Sequence, residues 1–311
     1  ARMSGTPYGA GGIRSTVAKT RSASDEELRA NVRRLRAEFI RSGVTHFECK
    51  TGYGLSTTDE LRSLRIASEF TSDATLLAAH VVPPEFRDAP DEYVTLIIEQ
   101  ILPSARGKAR WFDVFCDEGA FTIEQTRRLF DAASLEGFEL RLHANQLAHS
   151  AAVELATEYD CASVDHCTHV TEDQISQLAD SNVVVTLLPG AEFSTRAEYP
   201  SARRFLDAGV TVALATDCNP GSSYTTSMSF CIAVGVRDMH FTPSEAVYAA
   251  TAGGAAALRR TDIGNLSAGS RADLIRLSEP SHLHFAYRPG VDLIDQTWIA
   301  GQLAYSRKAN A

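Results

Sequence analysis

Between residues 45 and 256 the chain repeats one pattern: a short apolar run, a polar or glycine-rich turn, then an amphipathic stretch of helical period. FELRLHANQLAHS (138–150) is one instance. Phe138, Leu140 and Leu142 alternate with Glu139 and Arg141, the period of two that predicts a strand. That strand ends at His143, with Gln146 three residues on and a helix expected beyond, where His149 reads as a surface or packing residue. The other strand candidates are THFECKTGYG (45–54), ATLLAAHVVP (74–83), RWFDVFCDEG (110–119), CASVDHC (161–167), VVVTLLPG (183–190) and TVALATDCNPG (211–221). Helix starts lie between them. Ser24-Asp25-Glu26-Glu27, Thr122-Ile123-Glu124-Gln125 and Thr242-Pro243-Ser244-Glu245 have the capping-box form, in which side chains satisfy free backbone N–H groups. Pro243 falls at the first helical position, where its missing N–H is not needed.

Strand–helix alternation at this spacing implies parallel strands joined by helical crossovers. A doubly wound open sheet and a closed (β/α)8 barrel both satisfy it. The open sheet usually brings a phosphate loop after its first strand, and neither GxGxxG nor GxxxxGKS occurs. GAGG (9–12) reads as a turn or a substrate-side loop. The expected class is therefore α/β, a (β/α)8 TIM-type barrel over residues 1–262. Seven strands are counted. The eighth, the first of the barrel, is expected upstream of Ala1, because the chain opens without Met and within a segment, ARMSGTPYGAGGIRSTV. After residue 262 the pattern changes to short alternating strands with Gly and Pro punctuation, GNLSAGSRADLIRLSEP and VDLIDQTWIAGQ. Residues 263–311 are expected to form part of a small β-domain.

Composition narrows the partners. The 311 residues are 44% hydrophobic and 22% charged, as in an ordinary globular chain. A formal net charge of −9 argues against nucleic acid or an anionic membrane, both of which favour basic patches. No apolar run approaches the roughly 20 residues that span a bilayer. Six cysteines are scattered without CxxC spacing, and they read as reduced thiols of a cytoplasmic protein.

In a (β/α)8 barrel the reactive groups project from the C-terminal ends of the strands. Here those ends carry Tyr53, His80, His143 with Gln146, Asp165-His166, and Asp217 followed by Asn219-Pro220-Gly221-Ser222. Taken singly, His80 could be a satisfied core histidine and Asp217 a helix cap. Their joint placement after successive strands moves the balance toward a site. Imidazole and carboxylate suit Zn²⁺ or Fe²⁺, and an ion so bound can lower the pKa of its water to roughly 7. His143 and Asp217 are assigned as ligands of one divalent ion, and His166 has the proton-transfer role. Gln146 cannot exchange protons at neutral pH, but its amide can both donate to and accept from a flat heterocycle.

At this point a resemblance becomes specific. GGIRSTVAKTRSAS (11–24), KTGYGLSTTDELRSL (50–64), AAHVVPPEF (78–86), FCDEGAFTIEQTRRL (115–129), LHANQ (142–146), VDHCTHV (164–170), LLPGAEF (187–193) and ALATDCNPGSSYTTSM (213–228) resemble the imidazolonepropionases of the amidohydrolase superfamily, in family order. The resemblance implies a metal held by a His-x-His on the first strand, by His143 and by Asp217. His166 and Asp217 would be catalytic. Tyr53, His80, Gln146, Asn219, Gly221 and Ser222 would contact the imidazolone or its propionate, with an arginine just after the His-x-His. It implies opening of the imidazolone ring of 4-imidazolone-5-propanoate at its amide C–N bond to N-formimidoyl-L-glutamate, and a homodimer. Two departures stand out. Many family members have Glu where this chain has Gln146. The only His-x-His, His282-Leu283-His284, lies in the C-terminal β-region and reads as a surface loop. No Lys ends the strand FDVFCDEG, where binuclear relatives place a carbamylated one, and this favours a single metal. The competing readings are a purine or pyrimidine deaminase of the same superfamily, and a catalytically inactive fragment or ligand-binding barrel.

Overall fold

The computed structural model describes residues 13–307, and GAGG (9–12) lies outside them. The described residues fall into two compact units, one formed by 13–33 and 47–183, the other by 34–46 and 184–307.

The first unit carries five of the expected strands: β1 (Cys49–Lys50), β2 (Ala74–Ala79), β3 (Trp111–Cys116), β4 (Glu139–Ala144) and β5 (Ser163–His166). They pair in parallel and in chain order, with Cys49 opposite Ala74, Thr75 opposite Trp111, Phe115 opposite His143, and His143 opposite Asp165. A doubly wound sheet reverses its strand order at a switch point. Five consecutive strands without a reversal follow the barrel pattern instead. Every residue of β2 and β3 is buried, because helical crossovers cover a parallel sheet and leave no solvent face. Helices Thr57–Ser68, Ile123–Leu135, Ala152–Glu158 and Glu172–Ala179 follow β1, β3, β4 and β5.

The capping boxes form as the sequence predicts. Thr122 and Gln125 bond each other's backbone N–H groups, and Thr242 and Glu245 do the same with Pro243 inside the first turn. The backbone N–H of Ser24 donates to Glu27 Oε2 at 2.7 Å, while that of Glu27 donates to Ser24 Oγ at 3.3 Å.

Two local expectations are corrected. THFECKTGYG is a strand only at Cys49–Lys50. The N–H groups of Gly52, Gly54 and Leu55 bond the Glu60 carboxylate instead of a sheet ladder, so the remainder is a loop. His149 is not helical. The helix after β4 starts at Ala152, and His149 is a surface residue, as expected, but in the loop before it.

The second unit contains β6 (Val184–Leu187) and β7 (Val212–Leu214), parallel with Val185 opposite Val212. It also holds an antiparallel sheet of β8 (Leu274–Leu277), β9 (Ile294–Ile299) and β10 (Gln302–Ser306), in the order β10-β9-β8. His282 is exposed, and its Nε2 lies 3.0 Å from Ser244 Oγ. Cys49, Cys116, Cys161, Cys167, Cys218 and Cys231 are all free thiols. Among the described residues no helix is long and apolar enough to cross a membrane.

Candidate metal and substrate site

Asp113 is fully buried in the middle of β3, where an unpaired carboxylate would cost several kcal/mol. Two partners offset that cost. His143 Nδ1 donates to its Oδ1 at 2.9 Å, and Lys50 Nζ donates to its Oδ2 at 2.7 Å. Burial opposes ionisation of Asp113, but the charges and hydrogen bonds of His143 and Lys50 hold its carboxyl well below the usual range. Lys50 Nζ also lies 2.8 Å from Glu48 Oε1 and 3.5 Å from Asp165 Oδ2. Arg141 Nε is 3.2 Å from the same Glu48 oxygen, and its guanidinium lies over the Trp111 ring. Three carboxylates thus share two fixed cations.

The arrangement sets the chemistry of His143. With Nδ1 committed to Asp113, Nε2 is the remaining donor atom, 4.0 Å from Asp165 Oδ2. A carboxylate behind the far nitrogen is the usual support of a metal-ligating histidine, fixing both tautomer and ring orientation. Burial disfavours charge on His143, yet Asp113 and then Asp165 outweigh it and raise its pKa. A metal ion would compete with that proton for Nε2.

His166, at the end of β5, stacks obliquely beside His143 with ring centroids 5.6 Å apart. Its Nδ1 is buried without a hydrogen-bond partner. Burial, and then the neighbouring His143 charge, push His166 down to about 3, so the ring is neutral near pH 7. Its backbone sits at φ 77°, a region that non-glycine residues seldom occupy and that clusters at functional sites.

His80, after β2, bonds through Nδ1 to the carbonyl of Gly52 at 2.9 Å. A carbonyl only accepts, so Nδ1 carries the hydrogen and Nε2 presents a lone pair. Burial pushes its pKa down to about 4 and keeps the ring neutral. Tyr53 meets His80 edge-on, with centroids 5.3 Å apart and planes at 85°. The first unit therefore brings Tyr53, His80, His143 and His166 to the exits of β1, β2, β4 and β5. Gln146 is placed by its backbone: its N–H and that of Leu147 donate to Asp117 Oδ2 at 2.7 and 3.0 Å.

The second unit builds the loop after β7 around Asn219. Asn219 Oδ1 accepts from the N–H groups of Gly221 and Ser222, both at 2.8 Å, and its Nδ2 donates to the carbonyl of Asp217 at 2.6 Å. Ser222 Oγ donates to Asp217 Oδ2 at 3.2 Å, which fixes the turn of that carboxylate. Asp217 itself sits at φ 49°. Gly190 seats the loop from below: a Cβ there would overlap Ser223 Oγ, which donates to the carbonyl of Thr216 at 2.6 Å.

The donor set suits a divalent ion. Ligand atoms of Asp113, His143 and Asp165 all lie within 4.8 Å of one another, and imidazole with carboxylate is the chemistry zinc and iron accept. Both Asp113 oxygens are engaged, so its part is to anchor His143. No His-x-His precedes β2 among the described residues.

Lys50, Asp113 and Glu60 were absent from the sequence-derived set, and Asp117 and Gly190 stood in it only as less diagnostic strand ends. For Asp113 a signal existed, a carboxylate inside the apolar run WFDVFC. The parallel register pairs Asp113 with Arg141 and His143 with Asp165, which lines these polar groups along one face.

Residues 13–304 match the amidohydrolase family. The chain is 58% identical over 302 residues to an imidazolonepropionase of Streptomyces griseus, covering 97% of this chain and 77% of that one. It is 60% identical over 298 residues to an imidazolonepropionase of Salinispora arenicola, covering 95% and 76%. This chain belongs to the imidazolonepropionase family of amidohydrolases. Among solved structures, an adenosine deaminase of Xanthomonas campestris with bound zinc aligns at a TM-score of 0.66 and 18% identity, covering 92% of this chain and 71% of that one. That likeness is one of fold, and it agrees with the amidohydrolase barrel read from the strand order. As an imidazolonepropionase-family chain, the protein is a hydrolase of a metal-dependent superfamily, and the deaminase alternative is not favoured.

Proposed function

We propose that this protein hydrolyses the cyclic amide C–N bond of 4-imidazolone-5-propanoate to N-formimidoyl-L-glutamate, a step of histidine degradation, with one divalent ion, zinc or iron. The observation that supports it best is His143, anchored through Nδ1 by a buried carboxylate and lying beside the neutral His166, in a chain of this family. His143 and Asp217 would hold the ion, with Asp217 assigned from its family motif. Bound there, the ion supplies a Lewis acid and brings the pKa of water to about 7.

The remaining chemistry belongs to the side chains. His166, neutral and with a buried, unpartnered Nδ1, exchanges the proton at that atom. Asp217, its carboxylate oriented by Ser222 Oγ, shares the proton transfer. His80 accepts a ring N–H through Nε2, and Tyr53 closes against the same heterocycle. Gln146 donates to and accepts from the ring through its amide, as a positioning group. Asn219, Gly221 and Ser222 bind the imidazolone or its propionate, Asn219 through the turn it builds. The protein acts in the cytoplasm as a homodimer, which fractionation and mass measurement in solution would test.

The decisive assay follows loss of imidazolone propionate and appearance of formimidoyl-glutamate. His143→Ala and Asp217→Ala should each abolish turnover. Normal turnover in either variant would sink the assignment, and ammonia release from a purine or pyrimidine base without ring opening would point to a deaminase.

A further inference from the structure

The loop that carries Tyr53 does not hold its own shape. Gly52 sits at φ 104° and Leu55 at φ 51°, the left-handed region that a leucine seldom adopts. Such a conformation persists only where its surroundings enforce it. Two side chains do so from opposite sides. Glu60, fully buried on the helix Thr57–Ser68, accepts from the N–H groups of Gly54 and Leu55 at 2.8 Å each through Oε1, and from that of Gly52 at 3.2 Å through Oε2. Arg21, on the helix Arg14–Ser22, donates from Nε to the Gly54 carbonyl at 2.6 Å and from Nη2 to the Leu55 carbonyl at 3.0 Å.

The clamp ends on two groups at once. Holding Gly52 fixes the carbonyl that sets the His80 tautomer, and a Cβ at Gly52 would lie 3.0 Å from His80 Nδ1. Holding Gly54 and Leu55 fixes the backbone on the other side of Tyr53, whose ring meets His80 edge-on. We propose that Glu60, with Arg21 opposing it, is a positioning residue for substrate binding, holding the Thr51–Leu55 loop so that Tyr53 and His80 keep one geometry toward the imidazolone. The proposal rests on the reading of Tyr53 and His80 as substrate contacts.

The test compares Glu60→Gln, Arg21→Met and Tyr53→Ala in the metal-loaded enzyme, recording kcat, KM for imidazolone propionate, metal content and the thermal midpoint. The amide of Glu60→Gln keeps an oxygen for Gly54 and Leu55 but sets an N–H against that of Gly52, whose carbonyl holds His80, so KM should rise about tenfold with kcat within about threefold and metal content unchanged. Arg21→Met should raise KM in the same way, and it carries the test alone if Glu60→Gln fails to fold. A kcat that falls with the folded fraction at constant KM, in both clamp variants, would overturn the proposal. A raised KM in Tyr53→Ala alone refutes the clamp and spares the site. Unchanged KM in Tyr53→Ala removes the site reading and the proposal with it.

Discussion

Asp113 accepts the Nδ1 hydrogen of His143 at 2.9 Å within the sheet, and so determines which nitrogen of His143 is left to bind. Asp113→Asn keeps an oxygen able to accept that hydrogen, whereas Asp113→Ala does not. Zinc affinity, measured by chelator competition, should fall about 10–100-fold in Asp113→Ala and less in Asp113→Asn. Parental affinity in Asp113→Ala would mean that other contacts orient His143.

Lys50 stands among Glu48, Asp113 and Asp165 as their shared cation. Lys50→Met leaves those carboxylates with one neutraliser fewer, and breaking a buried pair from one side costs about 3 kcal/mol. Urea unfolding should show a loss of that size. A change within about 0.5 kcal/mol, as at an ordinary surface site, would contradict the network's dependence on Lys50.

Gly190 and Ser223 should be coupled. Gly190→Ala forces a methyl group against Ser223 Oγ and should cost about 1–3 kcal/mol while disturbing the Asp217 loop. Ser223→Ala removes the colliding oxygen, so Gly190→Ala should do less harm in that background than in the parent. Additive losses in the double-mutant cycle would place the damage elsewhere.

Glu245 caps the helix Pro243–Tyr248 and pairs with Arg203 at 2.8 Å. The Arg203 hydrogen bond, working against burial and joined by the Thr242 backbone, pulls Glu245 down to about 2. A carboxyl depressed in the folded state stabilises above its unfolded pKa and loses that contribution as pH falls through the folded one. Glu245→Gln should therefore lower stability at pH 7, by about 1 kcal/mol after allowing for solvent screening. The gap from the parent should close between the usual carboxylate range and about pH 2. Thermal melts that stay equally separated across that window would refute the linkage.

All seven strand positions, and the capping boxes at Ser24, Thr122 and Thr242, were legible because apolar period and local side-chain chemistry determine them. The ring cluster of Tyr53, His80, His143 and His166 was legible for a related reason: polar residues at successive strand exits are few. What escaped was support. Asp113 hides inside an apolar run, and Glu60 looks like one more acid in a helix's first turn. Both act through partners far away in sequence, Lys50 and His143 for Asp113, a bent loop for Glu60, and no local pattern announces such pairings. His149 was misplaced because the loop after β4 is fixed by Asp117, which belongs to the exit of β3.

That same Asp117 has an evolutionary reading. It grips position 146 through main-chain N–H groups, so the loop's course is indifferent to which side chain is mounted there. An amide, an acid or another polar group could be exchanged at 146 without rebuilding the scaffold. If Gln146 contacts substrate as proposed, single substitutions there would change specificity while the loop keeps its course.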